Sequence, residues 1–468
     1  MFLFLCSGCT TGSISCFLWR EKVLVFFMEP FRVHIIHVGN MANKGTQALL
    51  NSDVSLIRDV VGPNVELSVS TTDVEGVRKL DLSLEAVFSP IIDIPYEWAD
   101  HYARRFGFSR ASWKYKVFAL WSLFFMPVQM LLSVVSVIFV KHGLRPIFRS
   151  DLLQLVKGSN VVVSYSDENF KEGTSLLPLN IYWILTWWSM LVSRMWDVLV
   201  AKFLGKPVVM FPNSVGPFRT WVGRILAWLA LSNFNVVLIR EPVSYEIVES
   251  LGIGVQKILT SDTALLLDSS DRNSVGGLSS PVLGVSAGIY SHSLSRNDVD
   301  RYIEAHARAL DEAVRRYGFS VVFLPHYVSG FPSDDLEISK LILSRMKNKA
   351  QIVDASDVRT FKSLLGQMDI VVSSKMHPAV LAVASCVPTV CIAYDHKQVG
   401  FFERLCLRGC VLPVYAVSEE ALLSRISHVW GMRDDIKAKL KERVPLLKAD
   451  IKTAVERVLR SFVRNGGG

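Results

Sequence analysis

Residues 369–405, DIVVSSKMHPAVLAVASCVPTVCIAYDHKQVGFFERL, constrain the fold more than any other stretch of the chain. An apolar run at 370–372 stops at Ser373 and Ser374, and Lys375, Met376 and His377 make a polar turn. Pro378 then sits near the first position of a small-residue helix over 379–385, where its missing N–H costs nothing. Pro388 opens a second apolar run at 389–393, which stops at Tyr394, Asp395, His396 and Lys397. Strand, turn, helix, strand, turn is the grammar of a parallel sheet. Both polar clusters follow a strand, so Lys375, His377, Asp395 and Lys397 share the carboxyl edge, where open α/β sheets hold ligands. A helix N-terminus beside a cation is an anion site. Any one of these residues alone reads as a helix cap or a solvated surface group; four at two neighbouring strand ends weigh toward a site.

The same grammar repeats along the chain. An apolar strand over 32–38 ends in Gly39-Asn40-Met41-Ala42-Asn43-Lys44-Gly45, and a helix follows from about Thr46. The glycines permit a tight turn and close approach of a ligand to the backbone; the spacing is not the dinucleotide G-x-G-x-x-G. Further strands are expected over 66–71, 160–164, 206–211 and 236–239. The second of these runs into Tyr165-Ser166-Asp167-Glu168-Asn169, the third leads to the turn Gly216-Pro217-Phe218, and the last ends at Arg240-Glu241. Arg240 is either a fork for a carboxylate or phosphate or a surface partner of Glu241. A polar, Gly- and Ser-rich linker over 268–280 separates residues 29–267 from residues 281–430, where the pattern restarts. There, strands over 282–286 and 321–324 bracket a helix over 298–317. The second of those strands ends at Pro325-His326-Tyr327, which sets His326 on the same edge as His377, a candidate acid and base pair. Amphipathic helices over 419–430 and 434–464 are expected to pack back across the junction.

Two segments stand outside this pattern. Residues 1–28 are set apart as an extension foreign to the fold, with Met28 a candidate start. The run 117–140, VFALWSLFFMPVQMLLSVVSVIFV, carries no charge and, as one helix, would reach roughly 36 Å. A single crossing would put the two parts of one α/β domain on opposite sides of a bilayer. Basic residues flank both ends, which keeps both on the cytoplasmic side, and Pro127 breaks the helix near its middle. An in-plane or re-entrant hairpin on the cytoplasmic leaflet is the expectation, with a wholly buried helix pair as the alternative. The overall composition agrees, with 50% hydrophobic residues, only 20% charged and a net charge of +8, a balance suited to anionic partners. No motif points to nucleic acid. The seven cysteines form neither a disulfide framework nor a zinc pattern, and no metal site is expected.

Together these motifs resemble the polysaccharide pyruvyl transferases over about residues 33–425. Ser373-Ser374-Lys375-Met376-His377 is similar to S-x-[KR]-x-H, Val387-Pro388 to V-P, and Tyr394-Asp395-His396-Lys397 to Y-D-x-K. Gly39 to Ala48 resembles G-N-x-x-N-x-G-x-x-A, Gly216-Pro217-Phe218 the G-P-F turn, Arg240 to Ser244 R-[DE]-x-x-S, and Asp262-Thr263-Ala264 D-x-[AT]. Two positions depart from the family: Tyr165-Ser166-Asp167 replaces a glycine-rich G-G-[GD], and Lys375 stands where arginine is common. The resemblance implies two Rossmann-like α/β domains facing a cleft, as in GT-B-type glycosyltransferases, with the 117–140 insertion in the first. It implies an enzyme moving the pyruvyl group of phosphoenolpyruvate onto a saccharide, free or lipid-linked, with no cofactor. His377 and His326 are then the acid/base candidates. Arg240, Lys375, Ser374, Asn43 and Gly45 are the donor-binding candidates, and Asp167, Asn169, Tyr394, Asp395 and Lys397 line the cleft. A nucleotide-sugar glycosyltransferase and a non-catalytic scaffold of polysaccharide assembly are the competing readings.

Overall fold

A computed structural model describes residues 29–94, 113–173, 181–270, 280–289, 296–328, 334–355 and 357–465. The expected extension over 1–28 and most of the expected linker, 271–279, lie outside the described residues, as does the beginning of the apolar stretch after Gly173. Among the described residues the strands form two sheets, parallel throughout. The first contains β1 (Phe31–Val38), β2 (Val65–Thr71), β3 (Ala86–Phe88), β4 (Val161–Ser164), β5 (Val208–Asn213), β6 (Val236–Ile239) and β7 (Gln256–Leu259) in the order β3-β2-β1-β4-β5-β6-β7. The second contains β8 (Val282–Ser286), β9 (Ser320–Phe323), β10 (Ala350–Ile352), β11 (Ile370–Ser373), β12 (Thr389–Ala393) and β13 (Val411–Pro413) in the order β10-β9-β8-β11-β12-β13. Strand order reverses between β1 and β4 and again between β8 and β11. At such a switch point the flanking crossovers leave in opposite directions and a crevice opens beyond the carboxyl ends.

Central strands bury every side chain because helices cover both faces, which is why they read as unbroken Val/Ile runs. The Met376–Ala384 helix shares that logic: Met376 to Val383 are all buried, and its alanines allow close packing. Pro378 is the third helical residue rather than the first, still within the turn whose N–H groups have no intrahelical partner. Asp262, which the resemblance sets at a strand end, caps a short 3-10 turn, Thr263–Leu266, after β7.

The two halves are not separated by an open gap along their whole length. One continuous apolar core includes Ala48 and Leu49 of the Lys44–Val61 helix, Val380 of the second half and Leu447 of the Arg433–Asn465 helix. That last helix packs on the Lys44–Val61 helix and on the Thr263–Leu266 turn, as expected of a segment returning across the junction.

Residues 117–140 fall in two helices, Trp113–Leu123 and Phe125–Lys141, and no helix among the described residues is long and apolar enough to cross a membrane. The break comes where a proline puts it. The ring of Pro127 crowds the carbonyl four residues earlier, that of Leu123, while Phe124 keeps helical dihedrals (φ −68, ψ −23), so the interruption is a kink. The wholly buried alternative does not hold, since one face of the pair is exposed.

Candidate active site at the facing sheet edges

Loops that follow β1, β4, β5, β6 and β7 meet loops that follow β8, β9, β11 and β12. The first contact is made by the turn after β1. Asn43 caps the Lys44–Val61 helix by accepting from Gly45 N at 2.9 Å and pairs with Tyr327 in an isolated antiparallel bridge. Lys44, buried, donates to Pro325 O at 3.2 Å and Asp354 Oδ1 at 3.1 Å, so the turn of the first half holds the end of β9. Gly45 lies against the imidazole of His377: a Cβ built there would stand 2.1 Å from its Nδ1. The glycine therefore serves to admit a side chain from the other half.

His377 and His326 stack with ring centroids 6.2 Å apart and planes 24° apart, at 8% and 3% exposure. His326 Nδ1 and Nε2 and His377 Nε2 are buried without a hydrogen-bond partner among the described residues. Burial lowers both histidines below their ordinary pKa; for His326, neighbouring His377, Lys375 and Lys44 lower it further. Both rings are thus neutral near pH 7. Lys375 is the N-cap of the Met376–Ala384 helix, makes no side-chain capping bond, and reaches Asp335 Oδ1 at 3.5 Å. Burial raises the Asp335 carboxyl, partly offset by Lys375 and by the Tyr327 N–H that it accepts at 2.9 Å. Ser374 pairs its hydroxyl with that of Tyr302.

Arg240 is not a surface partner of Glu241, because Glu241 accepts from Ser244 N and caps the Pro242–Ser250 helix. Arg240 is buried, donating from Nη1 to Asp262 Oδ2 at 2.9 Å and from Nε to Ser214 Oγ at 2.8 Å, while Nη2 has no partner among the described residues. Burial alone would lower its pKa, but the carboxylates of Asp262, Asp167, Glu168 and Glu241 outweigh it and hold the cation more firmly. Asp167 accepts from Tyr165 OH at 2.9 Å. Asn169 is buried in the fold of its own loop, donating to Tyr165 O at 2.8 Å, so its amide nitrogen is committed to structure although its side-chain oxygen has no partner.

At the end of β12, Asp395 caps the His396–Arg404 helix with Oδ1 and leaves Oδ2 without a partner among the described residues. Tyr394 lies under the Lys397 ammonium, 5.6 Å from its ring centroid, and gives its backbone N–H to Gln398 at 2.9 Å. Buried Lys397 pairs across the junction with Glu168, which also meets Lys171 at 2.8 Å. Burial would push the Glu168 carboxyl up; the two lysines hold it well below the usual range. His396 reaches Ser244 Oγ at 3.3 Å, a further tie between halves. Among the described residues no group of three or more His, Cys, Asp or Glu side chains is arranged to hold a metal.

Sequence reasoning had passed over Lys44, Glu168, Lys171 and Asp335. Lone charges set between a strand end and a helix were the available signal, and only packing across the junction reveals their partners. Asp53 was also missed; it accepts from Ser166 N and Oγ, both at 2.8 Å, and burial pushes its carboxyl up to about 7.

The model of the family described as Polysaccharide pyruvyl transferase matches residues 61–396. That range begins after the Gly39 turn and is narrower than the resemblance over 33–425. A curated relative, the amylovoran biosynthesis protein AmsJ of Erwinia amylovora, is 24% identical over 263 residues, 53% of this chain. The aligned part spans 63% of that relative's length. Among solved structures, a UDP-GlcNAc 2-epimerase of Neisseria meningitidis bound to UDP-GlcNAc superposes with a TM-score of 0.54 at 11% identity, covering 92% of this chain and all (100%) of that one. A glycosyltransferase of Rickettsia africae gives 0.53 at 10% identity, covering 94% and 100%. At such identities the likeness concerns the fold: the two facing parallel-sheet domains of GT-B-type enzymes.

Proposed function

From the premise that this chain belongs to the polysaccharide pyruvyl transferase family, we propose that it transfers the pyruvyl group of phosphoenolpyruvate to two hydroxyls of a saccharide as a ketal, releasing phosphate, at the inner face of a membrane where the saccharide is lipid-linked. The observation that carries the reading is the stacked His326–His377 pair, with three ring nitrogens that have no partner among the described residues, where the turn after β1 meets the loops after β9 and β11. Buried polar atoms without partners cost about 1–3 kcal/mol each, and a ligand that bonds them recovers that cost.

The reaction must be balanced in protons. One hydroxyl proton ends on the methylene carbon of the enol and the other on the departing phosphate, while two C–O bonds form at the central carbon and its bond to the phosphate oxygen breaks. A neutral imidazole suits the removal of a hydroxyl proton. His377 is the first candidate for that base and His326 for the acid that serves the enol carbon. A bound dianion beside them favours the imidazolium that proton transfer requires. Lys375, the uncapped first turn of the Met376–Ala384 helix and the free Nη2 of Arg240 supply the grip on phosphate and carboxylate. Lysine keeps the charge of the family's usual arginine but loses its bidentate fork, which argues for a looser hold. This chemistry calls on no metal or cofactor.

The test incubates the protein with phosphoenolpyruvate and a membrane glycolipid extract, following phosphate and acceptor mass. Acceptor-dependent phosphate release with a pyruvyl ketal, lost in His377→Ala and His326→Ala, supports the reading. Binding of a nucleotide sugar without phosphate release replaces it with a glycosyltransferase, and binding of neither donor with a scaffold.

A further inference from the structure

The Phe125–Lys141 helix is amphipathic in the inverse sense. Its hydroxyls and amide face inward: Ser133 Oγ accepts from Trp196 Nε1 at 2.8 Å, Ser136 Oγ accepts from Phe148 N at 2.9 Å, and Gln129 accepts from Asp93 N at 2.9 Å. Its outward face is apolar and continues that of the Trp113–Leu123 helix, while Met126, Val137 and Val140 are buried on the same side as the serines. Trp113, Val117, Trp121, Phe124, Val128 and Leu131 are all exposed, Phe124 at 77% and Leu131 at 65%. Their spacing of three or four residues continues one stripe through the kink at Phe124. A water-facing surface helix shows the reverse arrangement, and contiguous apolar patches of this kind mark an interaction face. The charges carried by this stretch of chain have one sign. No acidic residue occurs between Trp113 and Ser150, and the exposed cations Lys114 and Lys116 stand at one end of the stripe with Lys141 and Arg145 beyond the other.

We infer that this face lies in the plane of an anionic phospholipid surface, with the apolar stripe in the acyl boundary, the tryptophans at headgroup level and the lysines on the lipid phosphates. Charge decides between occupants: a second copy would bring the same cations against one another, whereas an anionic leaflet complements them. The in-plane attitude follows from the absence, among the described residues, of any helix able to cross. This deepens the membrane-side placement proposed above and is independent of the donor chemistry.

Flotation of the full chain with phosphatidylglycerol/phosphatidylcholine vesicles, against pure phosphatidylcholine, tests it. Binding is expected to be at least about tenfold stronger to the anionic vesicles and to fall with salt. The double substitution Val128→Asp/Leu131→Asp is expected to weaken binding at least about tenfold, and Lys114→Glu/Lys116→Glu by a similar factor. Thermal melting and phosphoenolpyruvate turnover on a water-soluble acceptor should stay unchanged in both, since the altered residues are exposed and remote from the facing edges. Quenching of tryptophan fluorescence by brominated lipid reads the depth. Failure of wild-type protein to bind anionic vesicles, or undiminished binding by both variants, overturns the inference. So does a lipid-free dimer, seen by light scattering, that Val128→Asp/Leu131→Asp dissolves, because that outcome assigns the face to a second copy. Loss of turnover in wild-type protein that still binds vesicles counts against the transferase reading alone.

Discussion

At the carboxyl edge of the first sheet, charges meet charges: Arg240 with Asp262, Glu168 with Lys171 and, from the second half, Lys397. At the edge of the second sheet, His326 has no partner for either ring nitrogen, and His377 none for Nε2, among the described residues. The first edge is a wall of paired charges; the second sets two neutral imidazoles beside the Lys375–Asp335 pair. Under the proposed function, electrostatic preorganisation and acid/base chemistry are divided between halves, and the junction brings them together.

Substitutions can break this division at either side. The largest effect is expected from His377→Ala, an activity loss of about 10²–10⁴-fold, read as acceptor-dependent phosphate release. Arg240→Ala should act on the wall instead, costing about 3–5 kcal/mol in urea denaturation because Asp262 is left as an uncompensated buried charge. Gly45→Ala sets a methyl into the His377 ring and should lower kcat about 10²-fold by displacing it, with little change in the first sheet; equal loss of stability and rate would show that the turn, not the ring, had moved. His326→Phe sharpens the contrast from the other direction. It keeps a buried ring while deleting two unpartnered nitrogens, so stability should rise by about 1–3 kcal/mol as activity is lost. A fall in stability would mean that those nitrogens have partners in solution.

The smallest effect is in pH. Folded pKa values of both site histidines lie below the unfolded value of 6.5, as do those of His34, about 3, and His306, about 4. The unfolded chain therefore binds more protons in that window; this contribution is complete above about pH 6.5 and is lost as pH falls through the folded values. His326→Phe should flatten part of that slope. For the same reason the acid limb of kcat/KM should fall below pH 6.5 if His377 acts as a base.

Much of this arrangement was legible in the residues. β-branched runs closed by Gly, Pro or Ser marked β1, β4, β6, β8 and β11 to within a residue or so, because buried parallel strands tolerate little else. The half-exposed edge strands β3, β7 and β10 carry weaker patterns; β7 is exposed at both ends and partly buried between them. His377, His326 and Lys375 could be placed on one edge from strand ends alone. That Arg240 pairs with Asp262 could not, because the partner stands at the head of a 3-10 turn 22 residues further on, which no strand or helix period marks. Nor could the use of Asn43 and Asp395 as helix caps, which depends on where each helix starts to the residue.

The Arg433–Asn465 helix, 33 residues long, lies against the first helix of the fold, the Thr263–Leu266 turn and the Met376–Ala384 helix. On a ribosome it is synthesised long after all three. The first sheet is complete by then, yet one side of the surface on which Gly45 meets His377 stays uncovered until this helix emerges. Assembly of the junction is thus a late event in synthesis, and a chain halted before Arg433 would carry every residue of the candidate site without the brace that closes it.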